Sequence, residues 1–123
     1  MYRALAVAAL TLCAATAVSA QGNWPSKPIS IVVPFGAGGN TDVMARLTAT
    51  HLTKALGVSV VVDNKPGAAG LIASKQVLAA PADGYMFLMA TATQIVTAPF
   101  INAKFTFDGV TELGAVVNVS ANS

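Results

Sequence analysis

Nine residues, Pro34 to Asp42 (PFGAGGNTD), separate a β-branched apolar run at Ile29 to Val33 from a helix-patterned segment beginning at Val43. That order describes a strand, a glycine-rich turn and a helix N-terminus, whose converging backbone N–H groups suit an anion. The anion is a carboxylate or a phosphate. A mononucleotide loop ends in Gly-Lys-Ser/Thr, and Asn40, Thr41 and Asp42 stand there instead. A dinucleotide fingerprint needs a third glycine at the sixth position of the turn, which Thr41 occupies, although Asp63 could imitate the ribose-binding acid. Asp42 suits the dipole of the helix it opens, yet its charge opposes a doubly charged phosphate more than a singly charged carboxylate. Asn40 or Thr41 is placed to cap the same helix.

Other chemistries find little material. The single histidine, His51, falls on the first helix away from its apolar stripe, so an exposed surface position is expected. No Ser, His and Asp set assembles, and the acidic residues Asp42, Asp63, Asp83, Asp108 and Glu112 are scattered without a metal-ligand spacing. No catalytic residue, metal or cofactor is expected.

Met1 to Ala20 has the pattern of a secretory signal peptide: Arg3, an apolar stretch to about Ala17, then small residues ending in Ser19 and Ala20. The apolar run falls short of the ~20 residues a membrane span needs. Cleavage is expected after Ala20, leaving Gln21 to Ser123 with no membrane insertion. The one cysteine, Cys13, leaves with the leader, because bulky Leu12 before it argues against lipid attachment. An exported chain without disulfides is held by its core alone. Loss of Arg3 takes the formal charge from +2 to +1, too little for nucleic acid or an anionic membrane as partner.

The elements that position the loop alternate in period. Continuous apolar runs at Ile29 to Val33, Val58 to Val62, Tyr85 to Ala90 and Ala115 to Val119 predict four strands buried on both faces. A helix is predicted from about Asp42 to Leu56, with Ala45, Ala49, Leu52 and Leu56 on one stripe and Gly57 as its stop. A second is predicted from Ala68 to about Ala80, with Leu71, Val77 and Leu78 inward and Pro81 after it. Asp83 and Gly84 turn the chain into Tyr85. The fold class is α/β, a partial doubly wound, mainly parallel sheet. Its ligand edge carries three loops of small or polar residues: Phe35 to Asn40, Asn64 to Gly70, and Thr91 to Gln94. Trp24 is expected to pack across the sheet edge, and Lys65 to be solvated.

The segments KPISIVVPFGAGGNTD, the following ARL at Ala45 to Leu47, GVSVVVDNKPGAAG at Gly57 to Gly70, and APADGYMFLMATAT at Ala80 to Thr93 together resemble the N-terminal part of the Bug-type receptors of tripartite tricarboxylate transport systems. The resemblance covers nearly all of Trp24 to Val119. It implies one lobe of a two-lobe periplasmic solute-binding protein, closing on a small carboxylic acid held partly through bridging water, and serving the membrane components of a tripartite transporter. It places Phe35, Gly36, Ala37, Gly38, Gly39 and Asp42 at the first loop, Gly67, Ala68 and Gly70 at the second, and Thr91 and Thr93 at the third. Phe35 would wall the pocket from water. Receptors of this type are roughly two to three times as long, in keeping with lobes of ~100–150 residues. Gln21 to Ser123 is therefore expected to be part of lobe one, with the second lobe absent. A truncated remnant and a dinucleotide-binding enzyme fragment are the competing readings.

Overall fold

The computed structural model describes residues 22–101, 103, 108–109 and 111–119; the leader lies outside them. Its first strand, β1 (Ile29–Val33), is the centre of the molecule. Helix α1 (Asn40–Leu56) follows, then β2 (Val60–Asn64), a tight turn at Ala68–Gly70, helix α2 (Leu71–Ala79) and β3 (Met86–Leu88). A π-helical turn at Thr93–Thr97 runs into a last short helix, α3 (Ala98–Ile101). The sheet is parallel in the order β2-β1-β3, with Ile29 opposite Val60 and Ser30 opposite Met86.

A strand flanked on both sides and covered on both faces should be largely apolar, and β1 is, with four of its five residues buried and apolar and only Ser30 polar and half-buried. Ile31 and Val33 pack against Ala45 and Ala49 of α1, with Leu52, Val60, Val62 and Met89 closing the cluster. The small alanines let α1 approach the sheet closely, as the predicted stripe requires. Val32 is fully buried and, by the two-residue period of a strand, faces away from that cluster. Helix α2 packs on β3 and β1. Right-handed crossovers to strands on opposite sides of β1 place the two helices on opposite faces. At α1's end Gly57 adopts φ 70° and donates to the Thr53 carbonyl, the predicted left-handed stop.

Four expectations need correction. Strand β2 runs Val60–Asn64, two residues later than the apolar run, because Gly57 and the residue after it are used in leaving α1. The Val60 amide is tied to Thr53 Oγ1 at 3.0 Å. Strand β3 is confined to Met86–Leu88, although Tyr85 O and Met89 N extend its bonding to β1 by one group at each end. The second helix starts at Leu71, since Gly67, Ala68, Ala69 and Gly70 all have positive φ, which a right-handed helix cannot contain. Finally, Ala115 to Val119 forms no strand. It joins no ladder among the described residues, and Val116 and Val117 are 75% and 74% exposed. Apolar β-branched composition gives a strand only where a neighbour accepts its hydrogen bonds.

At the opposite end of the sheet from the three loops, Trp24 stays half-exposed, its ring centroid 6.1 Å from that of Tyr85 and its indole against Gly84. Lys27 Nζ sits 4.3 Å over the Tyr85 ring and 3.4 Å from Asp83. His51 is exposed on α1, as expected. Lys65 makes a half-exposed pair with Asp63 at 3.5 Å.

Candidate functional site

All three loops leave the C-terminal edge of the sheet, beside the point where the chain order reverses around β1. That is the place where open α/β sheets bind ligands.

The first loop is short because α1 begins at Asn40. Gly39 is its N-cap in an extended conformation and no side chain caps it; Asn40 and Thr41 lie inside the first turn instead of at the cap. Gly38 turns the chain with φ 89° and open space around it. Phe35 and residues 36 to 39 are exposed at the rim. Residues 37 and 38 form a hydrogen-bonded turn that brings the Gly39 amide toward Gly36 O. Among the described residues, the amides of Asn40 and Thr41 have no acceptor, as at any helix start, and the Val43 amide is the first to be paired within the helix, to Gly39 O at 3.0 Å.

Asp42 takes a different part. It is 2% exposed, and both carboxylate oxygens are engaged inside the protein. Oδ2 accepts from Gly38 N and from Arg46 Nε, each at 2.9 Å, and Oδ1 accepts from Asn64 Nδ2 at 2.9 Å. Asn64 Nδ2 also donates to Phe35 O at 3.1 Å, while Arg46 Nη2 donates to Asn64 Oδ1 at 3.2 Å. The Arg46 guanidinium, the Gly38 amide and the Asn64 carboxamide hold the Asp42 carboxyl far below its ordinary 3.8, against the opposing effect of burial. Asp42 thus remains an anion throughout the physiological range, neutralised by Arg46, and fastens the first loop to the end of β2. One loop amide, that of Gly38, is consumed by this brace.

The second loop continues the ladder through Lys65 N to Val33 O at 2.8 Å. It then makes a left-handed turn, with φ of 129° at Gly67, 47° at Ala68, 56° at Ala69 and 89° at Gly70. Gly67 and Ala68 are exposed, and Gly70 is buried. In the third loop Thr91 is half-buried, its carbonyl accepting from the Gln94 and Ile95 amides at 3.1 Å, and Thr93 is exposed. Gln94 lies inward and donates through Nε2 to Gly70 O at 3.1 Å, joining the second and third loops.

The residues proposed from the sequence therefore gather at one end of the sheet, with Asp42 and Gly70 beneath the surface and the rest at or near it. Reading the sequence missed Arg46, Asn64, Ser74 and Gln94, which hold the loops. Only Arg46 had a local signal, its four-residue spacing from Asp42 on a helix. An open groove of about 400 Å³ runs along the flank between α1 and β2, lined by residues that include Arg46, Thr50, Thr53, Lys54 and Val60. Through Arg46, which donates to Asp42 and Asn64, it adjoins the brace of the first loop from the side. Among the described residues no three His, Cys, Asp or Glu side chains group as a metal site, and no helix is long and apolar enough to cross a membrane.

Comparison with known proteins gives this geometry a context. The profile of the tripartite tricarboxylate transporter family receptor matches residues 44–123. A UPF0065 protein of Bordetella bronchiseptica is 40% identical over 119 residues, 97% of this chain and 36% of that protein. The chain thus spans about a third of the length of this relative. A solved structure of a periplasmic transporter superimposes with a TM-score of 0.67 at 38% identity, over 71% of this chain and 29% of that one. A Rhodopseudomonas palustris protein solved with adipate superimposes with a TM-score of 0.56 at 46% identity, over 57% of this chain and 23% of that one. The matched family is one of receptors and not of enzymes. Matched over the greater part of its length by that profile, and sharing its sheet with solved periplasmic proteins, the chain belongs to the tripartite tricarboxylate transporter receptor family.

Proposed function

We propose that the chain is the N-terminal part of the first lobe of a periplasmic receptor that takes a small carboxylic acid and delivers it to the membrane components of a tripartite transporter. Export through the Met1–Ala20 leader belongs to the same reading. The observation that carries it is the pair of amides at Asn40 and Thr41 left without an acceptor among the described residues, at the positive end of a 17-residue helix and on the ligand edge of the sheet. Water can satisfy them in the free chain, and a carboxylate oxygen, directly or through water, is the acceptor that this reading supplies. Adipate in a protein 46% identical supports an organic acid as that acceptor.

The brace around Asp42 supports the same reading physically. A loop that has to present several amides to one small anion gains from being held still before binding, because ordering it afterwards costs affinity. The small residues at Gly36, Ala37 and Gly39 permit an acid to approach the main chain. Phe35, at the rim, supplies the apolar wall. The turn at Gly67–Gly70 and the hydroxyls of Thr91 and Thr93 complete the wall from the other two loops.

Taken by itself the chain presents one wall of a cleft, and ligand sites generally bury most of the ligand surface. Its affinity for an acid is therefore expected in the millimolar range, about −4 kcal/mol. An amide-resolved NMR titration of the chain with adipate tests this. Saturable shifts are expected at residues 36 to 41 and 67 to 70. Shifts spread evenly over the surface, or none at tens of millimolar, remove the acid-receptor reading.

A further inference from the structure

The turn at Gly67–Gly70 is an unusual conformation for its composition. Four successive residues have positive φ, and two are alanines, at 47° and 56°. A left-handed alanine is disfavoured roughly tenfold or more against its right-handed form, because its Cβ crowds the following carbonyl. Two in sequence persist only if the surroundings impose them. Within the turn, Gly70 N donates to Gly67 O at 2.9 Å and Leu71 N to Ala68 O. Those local bonds favour the shape, but each is worth only about 1 kcal/mol, comparable to the strain of a single left-handed alanine.

The imposing contact comes from the third loop. Gln94, 3% exposed, donates through Nε2 to Gly70 O at 3.1 Å and to Ser74 Oγ at 2.8 Å. Ser74 Oγ in turn donates to Gly70 O at 3.0 Å. A carbonyl only accepts, so the amide NH₂ must face Gly70 and the orientation of the side chain is determined. A Cβ on Gly70 would lie 2.6 Å from Gln94 Nε2, so glycine there supplies both the backbone angle and the room for this approach. The backbone of Gln94 is itself held by Thr91 O at 3.1 Å.

What Gln94 gives up is informative. Its Oε1 is buried and finds no partner among the described residues. An unsatisfied buried acceptor offsets much of what the two donated bonds contribute, and an apolar side chain of the same shape would avoid that loss. What the glutamine supplies at this position is the pair of bonds to Gly70 O and Ser74 Oγ.

We infer that Gln94 is a positioning residue: it holds the Gly67–Gly70 turn in its left-handed shape and thereby sets the affinity of the acid site without touching the acid. The second clause rests on the acid-receptor reading above, whereas the first stands on the geometry of the turn. Gln94 links the second loop to the third, and Asn64 links the second to the first through Phe35 O and Asp42, so a relaxed turn disturbs the presentation of all three.

The test is Gln94→Met in the full chain, a change that keeps length while removing both the donor and the orphaned acceptor. Native-state hydrogen exchange is read at the Gly70 amide, with the β1 amide of Ile31 as reference, and adipate affinity is read by NMR titration. The expected result is Gly70 exchange at least about tenfold faster with Ile31 unchanged, and adipate bound at least about threefold more weakly. Adding Ala69→Gly, which removes left-handed strain, restores both. Gly70 protection that does not change, or that falls in step with Ile31, overturns the inference, as does a loosened turn with undiminished adipate affinity. If Gln94→Met does not fold, Ala69→Gly alone reads the strain: a raised Tm supports an imposed turn, and an unchanged or lowered one overturns it. Failure of the wild-type chain to bind adipate sinks the acid-receptor reading, and the exchange result then decides the turn clause alone.

Discussion

Asn64 Nδ2 stands 2.9 Å from Asp42 Oδ1, joining the last residue of β2 to the first turn of α1 across 22 positions of sequence. The same nitrogen reaches Phe35 O, so one carboxamide secures the first loop at both ends. The loop's shape is consequently a property of the sheet as much as of its own glycines.

Removing that brace should loosen the loop before it unfolds the protein. Asp42→Asn keeps the volume but loses the charge that Arg46 and Gly38 N address, and Tm is expected to fall by about 5–10 °C. Exchange at Gly38 should accelerate more than at Ile31. Asn64→Ala should do the same more mildly, and the double variant should fall short of the sum, since both act on one network. Thermal melts of the four proteins check this; strict additivity contradicts it.

Acid should act through the same carboxyl. The folded-state pKa of Asp42 is lowered from 3.8, chiefly by Arg46, so the folded form binds this proton less readily than the unfolded chain. The stability it contributes is complete above about pH 4 and is lost as pH falls further toward the folded pKa. Urea midpoints measured from pH 6 down to pH 2 should decline below pH 4 in the wild type. The Asp42→Asn variant should show a shallower decline over that window.

Two neighbouring glycines should respond differently to one methyl group. Gly38 has φ 89° with nothing within 4 Å of an added Cβ, so Gly38→Ala is strained without a clash and should cost about 1 kcal/mol. Gly39 is extended, and its Cβ would sit an ordinary 3.8 Å from Gly36 O. Gly39→Ala should leave stability within about 0.5 kcal/mol of wild type. Denaturant titration separates the two, and equal costs would show that the loop adjusts its backbone freely.

The centre of the sheet should be the costliest place to lose volume. Val32 is fully buried in the strand that pairs on both sides, so Val32→Ala removes two methyl groups with little room for collapse. A loss of about 2 kcal/mol is expected from transfer and cavity effects together. The exposed Val116→Ala should change stability by less than about 0.5 kcal/mol. Chemical denaturation compares them directly.

How much of this was legible beforehand depends on the range of the interaction concerned. Strand β1, the stripe of α1 and its Gly57 stop are written locally, as hydrophobic period and backbone preference, and the described structure reproduces them. The order of motifs was enough to suggest the receptor family before any fold was known. The extended segment at Ala115 to Val119 shows the limit of that reading, because its composition specifies a strand only if a partner edge lies alongside. The turn at Gly67–Gly70 shows it again: alanines in sequence look helical, yet Ala68 and Ala69 take the opposite hand in a turn whose last carbonyl is held by Gln94 from 24 positions away.

Local sequence thus determined which segments could be strands, helices and small-residue loops, since those tendencies arise between residues a few positions apart. Tertiary structure alone decided that Asp42 turns inward to Arg46 and Asn64, and that Gln94 reaches Gly70. Those choices depend on hydrogen-bond partners 22 and 24 positions away, and no period in the chain encodes a distance that only folding closes.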